Sequence, residues 1–593
     1  MTGSLIMSSR DLRFLLYEWL DVLTLTERAR YAEHSAATFD AVLDLAEQLA
    51  TREFAPHNRA ADEHEPQLVD GKVQLIEQVG PALAKFAESG LIASTFDTEL
   101  GGLQLPTVLA RAAMAWLQAA NVGTSAYPFL TMANANLLIA HGSAEQVDTW
   151  VRPMLEGRYF GTMCLSEPQA GSSLADITTK AVPQPDGSYR LFGNKMWISA
   201  GDHELAENIV HLVLAKLPDG PPGVKGISLF IVPKRLDSGP NDVALAGLNH
   251  KMGYRGTTNC LLNFGEGAQR PGGQPGAVGY LVGEPHSGLA AMFHMMNEAR
   301  VGVGLGATAL GYTGYLHALD YARTRLQGRA ATNRDPSQPQ LPIIEHPDVR
   351  RMLLAQKAYV EGGLALGLYC SKLVDDQLTA PAEADRQRAG LLLDVLTPIA
   401  KSWPSQWCLA ANDLAIQVHG GYGYARDYPV EQFYRDNRLN PIHEGTHGIQ
   451  ALDLLGRKVS MQGGAGLSLL VETVRASIAR AEAAGGQPKA HAAALAAGWD
   501  RLVEVTALLH GNGNSERALA NATVYLEATG HLVLGWLWLE QLLAAGDRNG
   551  AFYQGKRQAA AYFCRWELPK TGPMLELLAG LDSTVLDTAP ECL

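Results

Sequence analysis

Hydrophobic positions divide the chain into four zones of different period. From Asp11 to about Gly157 apolar residues recur at i, i+3 and i+4, as in VQLIEQVGPALAKFAESGL and TVLARAAMAWLQAAN, which predicts amphipathic helices. The first of them, DLRFLLYEWLDVL, opens on an aspartate that reads as its cap. From about Tyr159 to Val282 the pattern shortens. YFGTMCLSE, YRLFGNKMWIS, NIVHLVLAKL, GISLFIVPK and TNCLLNFGE are β-branched or aromatic runs separated by Gly, Pro and Asp, and Asp186-Gly187 marks a hairpin. Long helical patterns return from Gly288 to about Lys458, with glycines in NEARVGVGLGATALGYTGY that suit close helix contact. A polar, Pro-rich loop (GRAATNRDPSQPQLPIIEHP) precedes another long helix from Asp348. The Gly-rich joint MQGGAGLS leads into an Ala- and Leu-rich helical zone reaching about Leu578. LVLGWLWL (532–539) is the most apolar run, and Glu540 and Gln541 after it favour a buried helix over a membrane contact. No stretch reaches the roughly 20 apolar residues that span a bilayer.

A chain of 593 residues exceeds one ordinary hydrophobic core and implies several packed units. A net charge of −13 argues against nucleic acid as the main ligand. The six cysteines show no CxxC or Cys/His ligand spacing, so they predict reduced thiols and no metal site. The N-terminus lacks the basic start and apolar run of a signal peptide, and a cytoplasmic location is expected.

Three segments carry candidate chemistry. CLSEPQAGSSLAD (164–176) leads a strand into a Ser/Gly/Ala-rich turn, suited to an anion or a polar ring edge and equally consistent with an ordinary polar loop. In GNKMWISAG, Trp197 and Ser199 alternate along a strand and would face one side, a flat apolar surface beside a hydroxyl. A core tryptophan is the other reading. In QVHGGYGYARDYPVEQFYRDNRLNPIHEGTHGIQALDLLGRK (417–458) a helix should end at His419-Gly420-Gly421 and another start near Gly445 or Thr446. Glu444 then stands at a helix N-terminus, either as a functional carboxylate at a cavity edge or as a capping group.

Taken in this order and spacing, together with HKMGYRGTTNCLLNF, NEARVGVG and YARTRLQGR, these segments resemble the acyl-CoA dehydrogenase family over roughly residues 40–460. The opening SSRDLRFLLYEWLDVL and the C-terminal region resemble the larger bacterial branch that carries both extensions. The resemblance implies an α+β multidomain fold: an N-terminal extension (1–36), an N-terminal helical domain (37–158), a middle β-domain (159–282), a helical bundle (283–460) and an appended C-terminal helical domain (461–593). It implies FAD as cofactor, with Met163, Leu165, Ser166, Trp197, Ile198 and Ser199 at the flavin ring. Arg325, Gln327, Gln417, Gly420 and Gly421 would hold its diphosphate and adenosine, and Thr446 and Gly448 would border it. Ser172, Asn297, Arg300 and Gly445 would meet the acyl-CoA substrate, with Glu444 as the base. Family-based partners are an electron-transfer flavoprotein and a second copy of the chain, in a homodimer or dimer of dimers. An oxygen-using acyl-CoA oxidase is the alternative enzyme, and a nucleic-acid-binding flavoprotein on the same fold the alternative class. The chain departs from the familiar pattern at His443 (usually Tyr), at His447-Gly448 in GTHGIQ, at Gly328 in RLQGR and at Asn297 (usually Asp). Glu298, one residue before the helix position some members use for their base, is a second carboxylate to weigh. A single-residue step turns a helical side chain by about 100°.

Overall fold

The computed structural model describes residues 4–332 and 335–593, apart from the side chains of His294 and Asn297. The chain forms two compact units.

One unit comprises Asp40–Leu105 and Trp116–Ala299. Its centre is an eight-stranded sheet: β1 (Tyr159–Cys164), β2 (Lys180–Pro183), β3 (Tyr189–Ser199), β4 (Asn208–Lys216), β5 (Ile227–Pro233), β6 (Val243–Leu248), β7 (Asn259–Phe264) and β8 (Ala277–Val282). The strand order is β6-β7-β3-β8-β5-β4-β1, with β2 pairing β3 and β4. Each run read as a strand forms one. The Asp-Gly hairpin joins β2 to β3, with Pro183 opposite Tyr189 and Gly187 at φ 84°, where a side chain would be strained. Cys164, Leu191, Ile198, Val213, Phe230, Cys260 and Leu262 make the core of this sheet. Helix α1 (Val79–Glu88) is shorter than the apolar period of residues 73–91 suggests. Lys72–Gln74 pairs instead with Gln67–Val69 in a small hairpin, and Gly90 at φ 77° follows the helix end. Helix α2 (Val122–His141) lies close on β1: a Cβ at Gly161 would meet Asn134 at 2.6 Å. The Asn134 amide donates to Thr162 O (3.1 Å) and Val210 O (3.0 Å), tying this helix to two strands.

The second unit comprises Met1–Phe39, Pro106–Ala115 and Arg300–Leu593. Helix α3 (Gly288–Thr324) belongs to it from Arg300 onward and packs with α4 (Pro347–Thr379) and α5 (Glu383–His419). The glycines of α3 act as the sequence implies. A Cβ at Gly304 would fall 1.8 Å from Ala400 O. That carbonyl has no i+4 donor, because residue 404 is a proline inside α5. Helices α6 (Val430–Asn437) and α7 (His447–Asp453) follow. The Gly-rich joint then turns at Gln462, Gly463 and Gly464, all left-handed, into α8 (Met461–Ala484). Next come α9 (Gly486–Gly511), α10 (Ala522–Ala545) and α11 (Ala551–Tyr562). The LVLGWLWL run lies in α10 and is buried throughout, with Trp538 Nε1 donating to Ala358 O of α4 (3.2 Å). Among the described residues, no helix is long and apolar enough to cross a membrane.

The N-terminal extension departs from its sequence reading at Asp11. Ser8, not an aspartate, caps the first helix, its Oγ accepting from Asp11 N (3.2 Å). Asp11 is 1% exposed and pairs with Lys556 of α11, while Tyr312 OH donates to it (3.0 Å). Lys556 also binds Glu361 of α4 (2.9 Å) and Gln541 of α10 (2.8 Å), and Lys357 pairs with Glu361. Replacing Lys556 by Met leaves two buried carboxylates short of a cation. We expect Lys556→Met to cost about 3–5 kcal/mol, scored as a lower midpoint in urea unfolding of the purified protein.

Candidate active site

Glu444 stands on a backbone turn that its residue type disfavours: its φ is 54°, and Gly445 follows at 85°. Three contacts hold this turn. Lys401 of α5 donates to Asn440 O (2.8 Å) and Gly445 O (2.7 Å), and the Gln450 amide of α7 donates to Glu444 O (2.9 Å). A chain of buried amides supports the segment before it. Asn412 donates to Leu310 O (2.9 Å), Asn437 to Ala307 O (3.0 Å) and to Asn412 Oδ1 (2.7 Å), and Asn440 to Asn437 Oδ1 (2.9 Å). His443 Nε2 then donates to Asn440 Oδ1 (2.9 Å). Burial pushes the His443 pKa down to about 3, with Lys401 adding to the effect, so this ring is neutral.

The cap of α7 is Thr446, whose hydroxyl accepts from Ile449 N (3.4 Å). Glu444 is therefore not the helix cap. Among the described residues no side chain hydrogen-bonds its carboxylate. Burial raises its pKa, and Lys401 and Arg300 oppose that without cancelling it. The result is a carboxylate with free lone pairs and enhanced basicity. Arg300 is 3% exposed and pairs with Asp453 (2.8 Å), and among the described residues its Nε has no partner. Asn297 lies outside the described side chains. Glu298, in the other unit, accepts from the Asn136 amide nitrogen with both carboxylate oxygens (2.9 and 3.1 Å), so its oxygens are engaged where those of Glu444 are not.

A cleft of about 540 Å³ at the C-terminal end of α5 collects several of the expected cofactor residues: Arg325, Gln327, Gly420 and Gly421 line it, with Tyr321 and Tyr422. Gly420 ends α5 at φ 61° and ψ −137°, backbone open in practice only to glycine. A Cβ at Gly420 or Gly421 would meet no atom within 4 Å, so both present bare backbone to open space. Arg325 lies over the Tyr422 ring (5.3 Å) and makes no ion pair among the described residues. His419 donates to Ala415 O (2.8 Å) and stacks on Tyr321 (4.3 Å). Gly328 takes φ 68° in the loop after Gln327, where Leu341 N donates to its carbonyl (3.1 Å). Gln417 is exposed on the last turn of α5, and Gly448 is exposed in the first turn of α7.

In the β-containing unit, Trp197 interrupts the regular alternation expected of its strand. The pairing of β3 with β7 slips between Cys260 and Leu262, so Met196 and Trp197 together oppose Leu261. This bulge gives Trp197 φ 65° and leaves it 59% exposed. Ile198 turns into the sheet core and offers only its backbone, while Ser199 Oγ accepts from the Asn259 amide (3.3 Å). Met163, Leu165 and Ser166 are half-buried at the end of β1, and Ser166 O accepts from Met196 N (3.0 Å). Ser172 is exposed on the loop that follows.

Two residues not singled out in the sequence hold these segments together. Lys195 donates to Leu165 O (3.0 Å) and Glu167 (2.9 Å), and both charged side chains are almost wholly buried. Glu167 also accepts from the backbone and hydroxyls of Thr178 and Thr179 and from Gln169. A lysine at an inward strand position, two residues before the tryptophan, was the available signal. Burial raises the Glu167 pKa, but Lys195 and the hydroxyl and amide donors outweigh it and bring it to about 2. Burial also pushes the Lys195 pKa down, against the pull of Glu167.

The comparisons with known proteins fit this geometry. Solved structures share the fold over most of the chain: ACDH-11 of Caenorhabditis elegans in complex with C11-CoA has a TM-score of 0.75 at 19% identity, covering 94% of this chain and 89% of that one. An acyl-CoA dehydrogenase of Bacillus anthracis complexed with FAD has a TM-score of 0.74 at 20% identity, with coverages of 94% and 93%. These likenesses define an acyl-CoA dehydrogenase fold with an added C-terminal helical domain. Family models for the acyl-CoA dehydrogenase N-terminal, middle and C-terminal domains match residues 37–158, 162–266 and 286–459, and one described as acetyl-CoA dehydrogenase C-terminal like matches 470–589. The chain is 36% identical over 578 residues to 3-methylmercaptopropionyl-CoA dehydrogenase of Ruegeria pomeroyi, covering 94% of this chain and 95% of the relative. It is 32% identical over 610 residues to a broad-specificity linear acyl-CoA dehydrogenase of Mycobacterium tuberculosis, covering 98% of each. The chain belongs to the acyl-CoA dehydrogenase family, whose members are oxidoreductases acting on acyl-CoA.

The Glu167–Lys195 pair generates a test. Because Glu167 titrates below its ordinary 4.5 in the folded protein, it contributes stability that is present at neutral pH and lost as pH falls toward 2. We expect Lys195→Met to destabilise the protein by about 3 kcal/mol at pH 7. In urea unfolding at a series of pH values, the gap from wild type should narrow as pH falls below 4.5.

Proposed function

We propose that this protein catalyses FAD-dependent α,β-dehydrogenation of a straight-chain acyl-CoA to the trans-2-enoyl-CoA, with Glu444 as the base that takes the α-proton. The observation that carries this reading is the Glu444 carboxylate itself: it has no hydrogen-bond partner among the described residues, its basicity is raised by burial, and its backbone turn is fixed from α5 and α7. An acyl chain that excludes water from the carboxylate would raise its pKa further. The Glu444 N–H is a candidate donor to the thioester carbonyl, where the enolate charge develops.

The residues at the Gly420 cleft fit a dinucleotide. Arg325 would supply a cation without an ion pair among the described residues, Gly420 and Gly421 bare backbone amides, and Gln327 an amide donor for the diphosphate and adenosine, with Gln417, exposed on the last turn of α5 beside the cleft, as a second. Thr446 and Gly448 would border the same group. Met163, Leu165, Ser166, Trp197, Ile198 and Ser199 would line the ring, the two serines donating to its heteroatoms and Ile198 through its backbone. When bound, FAD supplies the acceptor for the β-hydrogen, which leaves as hydride. Ser172, Asn297, Arg300 and Gly445 are the proposed substrate contacts; since Arg300 is committed to Asp453, its free Nε is the group left to interact. We further propose a dimeric or tetrameric assembly and an electron-transfer flavoprotein as the oxidant of the reduced enzyme. An oxidase would instead consume oxygen when given acyl-CoA without an added acceptor.

Purified protein should carry FAD that acid precipitation releases into the supernatant, since the proposed ring contacts include no His or Cys. Glu444→Gln should bind FAD and acyl-CoA but bleach the flavin about 10²–10⁴ times more slowly, measured by stopped-flow absorbance with butanoyl-, octanoyl- and 3-methylmercaptopropionyl-CoA. Glu298→Gln should change that rate far less. A dead Glu298 variant beside an active Glu444 variant would reverse the assignment of the base.

A further inference from the structure

Lys401 combines three properties that do not ordinarily occur together. Its side chain is wholly buried, it makes no ion pair within 4 Å among the described residues, and it spends two of its three N–H donors on backbone carbonyls of one turn, Asn440 O and Gly445 O. A buried ammonium without a contacting carboxylate is costly unless a charge nearby offsets it. The acid whose charge acts on it is Glu444, one residue before the carbonyl that Lys401 holds. The remaining charged groups that act on this turn are Arg300, already paired with Asp453, and Arg438; His443 and His447 are kept neutral by burial, with pKa values of about 3 and 4.

Helix α5 places this lysine with little freedom. Its next-door residue Ala400 is pressed against Gly304 of α3, and its own carbonyl accepts from Ser405 Oγ (2.6 Å). A methionine or leucine of similar volume would fill the same space at lower desolvation cost. Retaining the charge therefore points to a role beyond packing.

We propose that Lys401 is a positioning residue for the Glu444 carboxylate: through Gly445 O it holds the left-handed turn on which Glu444 stands, and its ammonium is the buried counter-charge that keeps the unbonded carboxylate ionised before substrate binds. This inference rests on Glu444 being the base. Burial, with a smaller push from Arg300, brings Lys401 down to a pKa of about 7 against the upward pull of Glu444, which is the reciprocal of the same coupling. Once an acyl chain dries the site, the pair resists premature protonation of Glu444 by solvent, and the proton Glu444 accepts is the substrate's.

The test compares the FAD-loaded wild type with Lys401→Met, Lys401→Gln and Lys401→Arg, using octanoyl-CoA as substrate. The readout is the second-order rate of flavin bleaching as a function of pH, with affinity for the non-oxidisable 3-thiaoctanoyl-CoA and thermal unfolding measured alongside. Without the cation, the acidic limb of the profile should move up by about one pH unit, so that below it the Met and Gln variants are roughly tenfold slower than a pH-independent defect predicts. The Arg variant, which keeps the charge, should keep the limb near its wild-type position even if its rate falls. Analogue affinity should change less than threefold. An unshifted limb in a folded neutral variant overturns the proposal, because a merely structural lysine lowers the rate at all pH values alike. Insoluble Met and Gln variants beside an Arg variant of wild-type rate and limb would also overturn it, by making Lys401 a folding residue. Glu444→Gln separates the two readings. If it still bleaches the flavin at near wild-type rate, the base assignment fails and this inference with it; if it is silent while the limb of Lys401→Met is unmoved, only the role of Lys401 fails.

Discussion

The peptide turn at Glu444-Gly445 is the constraint around which the helical unit is organised. A glutamate at φ 54° sits in backbone space that costs free energy, on the order of 1–3 kcal/mol, and it persists only because its surroundings leave it no alternative. Lys401 holds the carbonyl after it, Gln450 holds its own carbonyl, and the Asn412–Asn437–Asn440–His443 chain fixes the segment before it. Lys401 and Asn412 lie on α5, Asn437 on α6 and Gln450 on α7, so the turn is only as exact as the packing of these helices. The close approach of Gly304 to Ala400, at the carbonyl that Pro404 leaves without a donor, sets how near α3 comes to the lysine. A strained turn, a buried cation and a glycine contact are thus successive layers of one packing arrangement around Glu444.

The two chain ends brace this bundle from outside. The N-terminal segment reaches it through Asp11 and Tyr31, the latter donating to Asp375 of α4 (2.8 Å). The C-terminal helices reach it through Trp538, through Trp536, which meets the Tyr369 ring of α4 edge-on (5.3 Å), and through Lys556. Asp11, Glu361, Lys357 and Lys556 form a buried group in which each carboxylate has a cation and each cation a carboxylate. Such a group adds little net stability over well-packed apolar residues. It does demand that the first helix, α4 and α11 meet in one register, since any slip would strand a charge.

The sheet uses the same means on a smaller scale. Regular alternation would set Trp197 and Lys195 on one face. The bulge opposite Leu261 separates them, sending the lysine inward to Glu167 and leaving the indole in the open. The segments around Ser166 and Ser199 are consequently tied to one another by a buried ion pair and by the Met196–Ser166 backbone bond, not by apolar packing alone.

What the sequence determined by itself was local or short in range. The Asp-Gly turn, the strand runs, the close-contact glycines of α3, the end of α5 at His419 and the buried LVLGWLWL helix all follow from φ preferences and hydrophobic period, which act between near neighbours. Gly420 and Gly421 stood out for a related reason, since glycines that bare their backbone are recognisable without a partner in view; Arg325 and Gln327, which share their cleft, were named only through the family resemblance. Tertiary structure alone decided the rest. Asp11 reads as a cap until Lys556, hundreds of residues later, turns it into a buried ion. Trp197 reads as part of a regular strand because a bulge is a mismatch with the neighbouring strand and leaves no period of its own. Lys401 reads as one lysine among helical residues, and its meaning lies in two carbonyls about forty positions downstream. Charge, strain and register are properties of pairs distant in the chain, and desolvation, which gives them their energy, exists only once the core has closed.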